Sequence, residues 1–519
     1  MLLAVKELVV VLIIAAALFR VARPLALRFS SAADYSRRRL AWYTVTAAAF
    51  LCPNFWLFAA IAIPVLISAG RRDSSPAALY LLLLNALPPI AVRIPMIGIS
   101  FLFDVNWPLL LAFCVATPAV IRLRHEQREE RVWSLQAADF WLLGYLALTS
   151  VLFLHVEIAK GVLMSASATD CLRRAFVAFF FAFIPYLLIS RTAMQRRALL
   201  ELLAAFCLGC AVLAAIAVFE STRHWLLYDE MPDRWIGGVR ITSYLMRASS
   251  LRAMASAGHS LSLGYLLAIA LGFWLYLRSH LPSGGWRIGG SLLLAAGLVV
   301  TYARGPWMGA LAIYLAYAAL GPRPFSRLAK TLCSAAAVAV CILASPLGER
   351  FVRVLPFLGG KVDEQTIIYR QRLLSRGWQI IQQNPWFGSQ EALLKMEDLR
   401  QGEGIIDLMN GYIAVLLGNG FVGLFVFLCI IFIGLMKSWN ASRSVVNVDQ
   451  DLHFLGASLI SCILGSLLMM AVGGSNELMI WILVALAIGY AQTVKSSRRA
   501  TAGTTVYKAD YGSPESNAT

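Results

Sequence analysis

Charge is what this chain has least of. Charged residues make up only 14% of its 519 residues, and acids are the scarcer sign, 28 Asp and Glu against 45 Lys and Arg. A soluble domain would carry roughly a quarter charged residues, so that class is excluded. Nine cysteines give no disulfide framework and no tetrahedral metal set. Cys207 and Cys210 have the spacing of a redox pair, but they fall inside an apolar run, where packing accounts for them. There is no Gly-rich phosphate loop, no Asp-x-Asp motif in a soluble domain and no Ser/His/Asp pattern with supporting context. Any chemistry is therefore expected to need neither cofactor nor metal, and to fall to arginines and a carboxylate.

What is present is apolar sequence. Hydrophobic residues make up 59% of the chain, and its mean hydropathy is +0.71. Runs of 15–22 residues recur from end to end, long enough to cross or nearly cross a bilayer core of about 30 Å. In lipid such runs must be helical, because each backbone group needs a partner within its own segment. The sequence predicts an all-α polytopic membrane protein with about 14 transmembrane helices, at 3–19, 40–52, 54–69, 76–92, 107–121, 137–155, 175–190, 199–219, 258–278, 288–303, 306–321, 330–345, 407–435, 453–473 and 476–494. Residues 40–69 are read either as one helix kinked at Pro53 or as two meeting there. The first run lacks a small-residue cleavage site and is read as a retained membrane helix.

The net charge of +17 would suggest nucleic acid in a soluble protein. Here Lys and Arg collect in short loops, as membrane insertion requires, and no nucleic-acid partner is expected. The segment Arg20–Arg39 carries six arginines and one acid, which places it in the cytoplasm. The resulting division is 1–219 N-terminal membrane helices, 220–257 a first outer loop, 258–345 central helices, 346–406 a large outer loop with amphipathic helices, 407–494 C-terminal helices and 495–519 a disordered cytoplasmic tail.

Both long loops fall outside, beyond the reach of the positive-inside rule. The first offers Arg247 and Arg252, then Gly258-His259 at the next helix mouth. A guanidinium fork there suits phosphate oxygens in two-pronged fashion, although lipid headgroups or the nearby acids Asp229, Glu230 and Asp233 are also suitable partners. Arg304, in Tyr302-Ala-Arg-Gly-Pro-Trp307, is the only charge in a window of about 30 residues. An ionisable group at such depth faces a cavity or a partner, and an arginine beside a helix amino terminus makes an anion site; a snorkelling arginine is the alternative. Beyond Asp363, residues to about Gln383 read as an amphipathic helix. Leu374, Trp378 and Ile381 share one face, Arg372, Arg376, Gln379 and Gln383 another, and Arg370 sits near the apolar edge. The polar stripe suits phosphates or sugar hydroxyls, or plain solvent. Asp407 and Asn410 then open a helix, and Glu477 lies in a later outer turn. Either carboxylate is a candidate general base on a sugar hydroxyl, or a helix cap or ion-pair partner.

Several stretches together resemble the O-antigen ligase/polymerase superfamily. They are Arg247-Ala-Ser-Ser-Leu-Arg252 with Gly258-His259, Tyr302–Trp307, Tyr369-Arg370 through Asn384-Pro-Trp-Phe-Gly388, and Ile406-Asp-Leu-Met-Asn410-Gly-Tyr412 with Gly418-Asn-Gly420 and Gly423. O-antigen ligases carry a His-x-Asn-type motif after the large loop. Here Met409 stands before Asn410, a pattern closer to exopolysaccharide polymerases. The resemblance implies a metal-independent, inverting membrane glycosyltransferase of the bacterial inner (cytoplasmic) membrane. It would join oligosaccharide units carried on a polyprenyl diphosphate at the outer face. Arg304 with Asp407 or Glu477 would be catalytic, and Arg247, Arg252, Arg370, Arg372, Arg376, His259 and Asn410 would bind substrate. Partners implied are the lipid-linked oligosaccharide, membrane lipids, and chain-length regulator and export proteins. A glycan ligase and a non-enzymatic transporter of lipid-linked sugar are the competing readings.

Overall fold

The structure is a computed structural model that describes residues 2–96, 101–129, 135–160, 168–237, 246–247, 250–321, 325–326, 328–329, 333, 364–400, 406, 408, 410–473 and 476–510. It is helical throughout apart from two short hairpins. The elements are α1 (Leu2–Ala26), α2 (Ala32–Leu51), α3 (Phe55–Arg72), α4 (Pro76–Leu83), β1 (Val92–Arg93), β2 (Asp104–Val105), α5 (Trp107–Leu111), α6 (Thr117–Glu129), α7 (Ala137–Lys160), α8 (Ala168–Ala178), α9 (Ile184–Thr192), α10 (Arg196–Arg223), α11 (Glu230–Ile236), β3 (Met246–Arg247), β4 (Ser250–Leu251), α12 (Ser260–Leu277), α13 (Gly284–Val299), α14 (Arg304–Ala319), α15 (Glu364–Gln383), α16 (Gly411–Val445), α17 (Gln450–Gly473) and α18 (Glu477–Asp510). Single π-helical turns join α5 to α6 and α8 to α9 into continuous rods.

Nine helices among the described residues are long and apolar enough to cross a membrane. Each coincides with one of the expected runs. Most of the remaining expected runs differ for local reasons. Residues 40–52 end α2, whose first turns are polar. The run 76–92 yields only the eight-residue α4, because Pro88 and Pro89 follow; all of α4 is buried. The apolar stretches of α7 and α13 are shorter than a full span, as is the 16-residue α14. The run 330–345 lies outside the described residues apart from Cys333. Residues 40–69 form two helices, capped at their junction by Asn54, whose side chain accepts from the Leu57 amide. The expected disordered tail is helical as far as Asp510, since no proline interrupts it before that point.

Small residues let the central helices approach closely, the usual means of packing where lipid supplies no hydrophobic drive. A Cβ at Gly272 of α12 would meet Ile313 of α14 at 2.8 Å and would also strike Cys462 of α17, and one at Gly465 of α17 would lie 3.1 Å from the Gly309 carbonyl of α14.

The two ends of the bundle differ in character. One end is a belt of paired charges. Buried Arg38 grips Asp73 through two bonds of 2.9 and 2.6 Å and reaches Glu201 at 2.7 Å. Arg191 pairs with Asp139, which also accepts from the Tyr186 hydroxyl at 2.8 Å. Arg196 pairs with Asp449 at 3.0 Å and with Asp451, and Asp451 accepts from Tyr276 at 2.9 Å. Asp449 and Asp451, an Asp-x-Asp pair by sequence, thus serve as ion-pair partners. All these residues lie at the ends joined by the short basic loops, so pairing absorbs much of their charge at the junctions between helices.

Candidate functional site

The opposite end carries the long loops. Its centre is the tight link between α13 and α14. Trp307 donates its indole N–H to the Leu298 carbonyl at 2.9 Å, which folds the start of α14 against the end of α13. The turn costs Tyr302 a left-handed backbone (φ 49°), uncommon for a residue with a side chain. Arg304 itself opens α14, so Pro306 lies in the first helical turn, where a missing N–H leaves nothing unsatisfied. Arg304 therefore stands at the amino terminus of α14, whose dipole adds to its positive charge.

Arg252 hangs on the same link. It is 8% exposed; its Nε donates to the Thr301 carbonyl at 3.3 Å, and the next amide, Ala253, donates to Val300 at 3.1 Å. This segment follows the β3–β4 hairpin, which pairs Met246 with Leu251 and Arg247 with Ser250. The Arg247 side chain lies outside the described residues, as does the whole of Asp407.

Arg370 arrives from far along the chain. On α15, Leu373, Gly377, Ile380 and Ile381 are buried, and Gly377 faces Ile413 and Leu417 of α16. Leu374 (53% exposed) and Trp378 (50% exposed) stand clear of the protein. The protein-facing stripe is thus rotated from the Leu374–Trp378–Ile381 face expected from periodicity. Arg370 falls on this stripe at i−3 to Leu373, and its charge acts on Arg304. Arg372 and Arg376 lie exposed on another side, and Arg376 reaches only Gln379, at 3.4 Å. Arg370, exposed like Arg372 and Arg376, is the one of the three whose charge reaches Arg304, while Arg252 is bonded to the same α13–α14 link.

The register of α15 is fixed by its following turn. Helix α16 breaks at Gly420 (φ 63°, ψ −167°), and the opened backbone is taken up by residues 385–390. Phe421 N–H donates to the Pro385 carbonyl at 2.8 Å, Val422 to Trp386 at 3.1 Å, and Ser389 to Leu417 at 2.6 Å. The Gln390 amide closes on the Gly418 carbonyl at 2.8 Å.

His259 and Asn410, expected to bind substrate, serve as helix caps. His259 Nδ1 accepts from the Leu261 amide at 3.1 Å. Asn410 Oδ1 accepts from Tyr412 and Ile413 at 2.9 and 3.2 Å. Glu477 is exposed at the start of α18, and Arg174 of α8 acts on it electrostatically.

Glu220 and Arg174 were not singled out from sequence. Glu220 is fully buried and accepts from the amides of Leu227 (3.0 Å), Met254 (3.1 Å) and Ala255 (2.9 Å). It clamps both ends of the first long loop, two residues from Arg252. Its sequence signal was an acid closing an apolar run. Glu220→Gln would turn an amide N–H₂ toward a set of donors. The expected outcome is an approximately tenfold loss of affinity for a polyprenyl diphosphate in a binding assay, with Arg252 released from Thr301.

A many-helix membrane bundle with arginines gathered at one helix link and paired charges at the other end defines the class. A family model described as O-antigen ligase matches residues 289–428, a stretch that runs from α13 through Arg304 and α15 into α16. The resemblance read from the motifs is thereby supported, and with it a membrane glycan ligase- or polymerase-type function acting on lipid-linked glycans. No curated protein matches the chain.

Proposed function

We propose that the protein is a polysaccharide polymerase of the inner membrane. It joins oligosaccharide units carried on polyprenyl diphosphate at the extracytoplasmic face, by a metal-independent, inverting displacement. The observation that carries this reading is the pairing of two like charges. Arg304 and Arg370, brought from separate segments, lie within reach of each other's charge, with Arg252 beside them on the same link. Clustered cations repel one another and are held together for an anion of more than one charge, such as a diphosphate. As the glycosidic carbon leaves the diphosphate, these guanidinium groups meet the negative charge that develops. The positive-inside rule puts the paired, basic end in the cytoplasm and the arginine site outside. Chain-length regulator and export proteins fit the same reading as partners. Met409 before Asn410 favours polymerisation over ligation to another lipid.

Purified protein in liposomes, supplied with the lipid-linked repeat unit, tests the proposal. Ladders of joined units are expected. Translocation without new glycosidic bonds would make it a transporter, and transfer only to a different lipid or protein acceptor would make it a ligase.

A further inference from the structure

A second chamber lies beside the arginines. It has a volume of about 280 Å³, and its polar lining consists of Asn85, Ser256, Ser262, Asn476 and Glu477 over an apolar floor that includes Pro108 and Phe181. None of its lining residues is a lysine or arginine. Its walls come from the segment after α4, the start of α12 and the start of α18. The glycines that lead from it toward Arg304 leave little room between them. A Cβ on Gly305, the residue after Arg304, would come 3.6 Å from Gly473, and a Cβ on Gly473 would come 3.2 Å from Leu261, neighbour of Ser262.

We infer that this chamber seats the acceptor, a neutral sugar ring, with its attacking hydroxyl at Glu477. The inference rests on the glycan-assembly reading and divides that site into a charged donor half and an uncharged acceptor half. Amides and hydroxyls around one carboxylate suit the donors and acceptors of a sugar, and the apolar floor suits its C–H face. A diphosphate would find no cation in the lining. Asn476 caps α18, accepting from Met479 N–H at 3.3 Å, so Glu477 is held at a fixed helix start. Arg174 lies within electrostatic reach.

The step balances. The acceptor oxygen forms the new bond to the anomeric carbon while its proton passes to the Glu477 carboxylate. The anomeric carbon–oxygen bond to the diphosphate breaks, and the electron pair leaves with the polyprenyl diphosphate, facing Arg252, Arg304 and Arg370.

The test uses full-length protein in liposomes, the lipid-linked repeat unit as donor and the free repeat-unit oligosaccharide as acceptor, with retention of polyprenyl diphosphate measured separately. Ser262→Trp, which fills the chamber, is expected to raise the acceptor KM at least about tenfold and leave diphosphate retention unchanged. Glu477→Gln is expected to lower kcat about 10²- to 10⁴-fold with both affinities kept. Should Ser262→Trp fail to fold, Asn85→Leu provides the same readout with little change in volume. A normal acceptor KM in the folded chamber variant, or a normal kcat in Glu477→Gln, overturns the inference. If the unaltered protein retains no polyprenyl diphosphate, or retains it equally well after Arg304→Ala, the glycan-assembly reading beneath it fails instead.

Discussion

Arg304→Ala is expected to abolish long polymer in cells whose chromosomal copy is deleted, and to lower turnover about 10²- to 10³-fold in purified protein. That is the range seen when one preorganised donor to a developing anion is removed. The effect is large because Arg304 places a charge at the amino terminus of α14. Arg304→Lys is expected to recover only part of the loss, since an ammonium ion cannot present the planar fork. Arg370→Ala should follow in the same direction. Arg376→Ala, on the exposed side of α15, should change turnover by less than about threefold, as surface changes usually do. Normal long polymer from both Arg304→Ala and Arg370→Ala would rule out their roles.

Gly420→Ala is the second large effect. At φ 63° and ψ −167° this residue occupies backbone space open in practice only to glycine. A Cβ there would also strike the Trp386 carbonyl and the Phe387 amide. The strain alone is about 1–3 kcal/mol, and the collision breaks the hydrogen bonds that seat residues 385–390 in the opened helix. Gly388→Ala meets the same junction from the other side, with its Cβ 2.7 Å from the amides of Asn419 and Gly420. Both variants should lower the unfolding temperature in detergent and lose activity, because Arg370 is carried by the helix that this junction anchors. Gly418→Ala, two residues away with open space around its Cβ, should be tolerated. Equal stability of Gly420→Ala and Gly418→Ala would contradict the role assigned to the break.

Much of this was legible in the sequence, for identifiable reasons. Apolar run length is a strong signal, and each of the nine long spans lies where a run was read. Arg304 stood out because lone charges in apolar surroundings are rare. The resemblance names Arg247, Arg252, Arg304 and Arg370 as one set, and the Arg247 side chain lies outside the described residues. What the sequence did not yield depends on tertiary contacts. Pro88 and Pro89 cut a seeming span to α4, but only packing shows that stub to be wholly buried. The stripe of α15 that meets the protein is set by its packing against Ile413 and Leu417 of α16, which the periodicity of α15 alone does not show. His259 and Asn410 were read only as ligands, although polar residues at helix mouths also serve as caps, as both do here. Glu220 looked like a loop boundary, since its three amide partners lie 7 to 35 residues away.

Everything turns on whether the three arginines act as one anion pocket. Equilibrium binding of a polyprenyl diphosphate to the protein in nanodiscs, measured for the unaltered chain, Arg304→Ala, Arg370→Ala and the double variant, tests this directly. Shared contacts to one ligand predict a clear loss in each single variant and a double variant whose loss departs from the sum of the two. Affinity unchanged by either substitution would contradict the account.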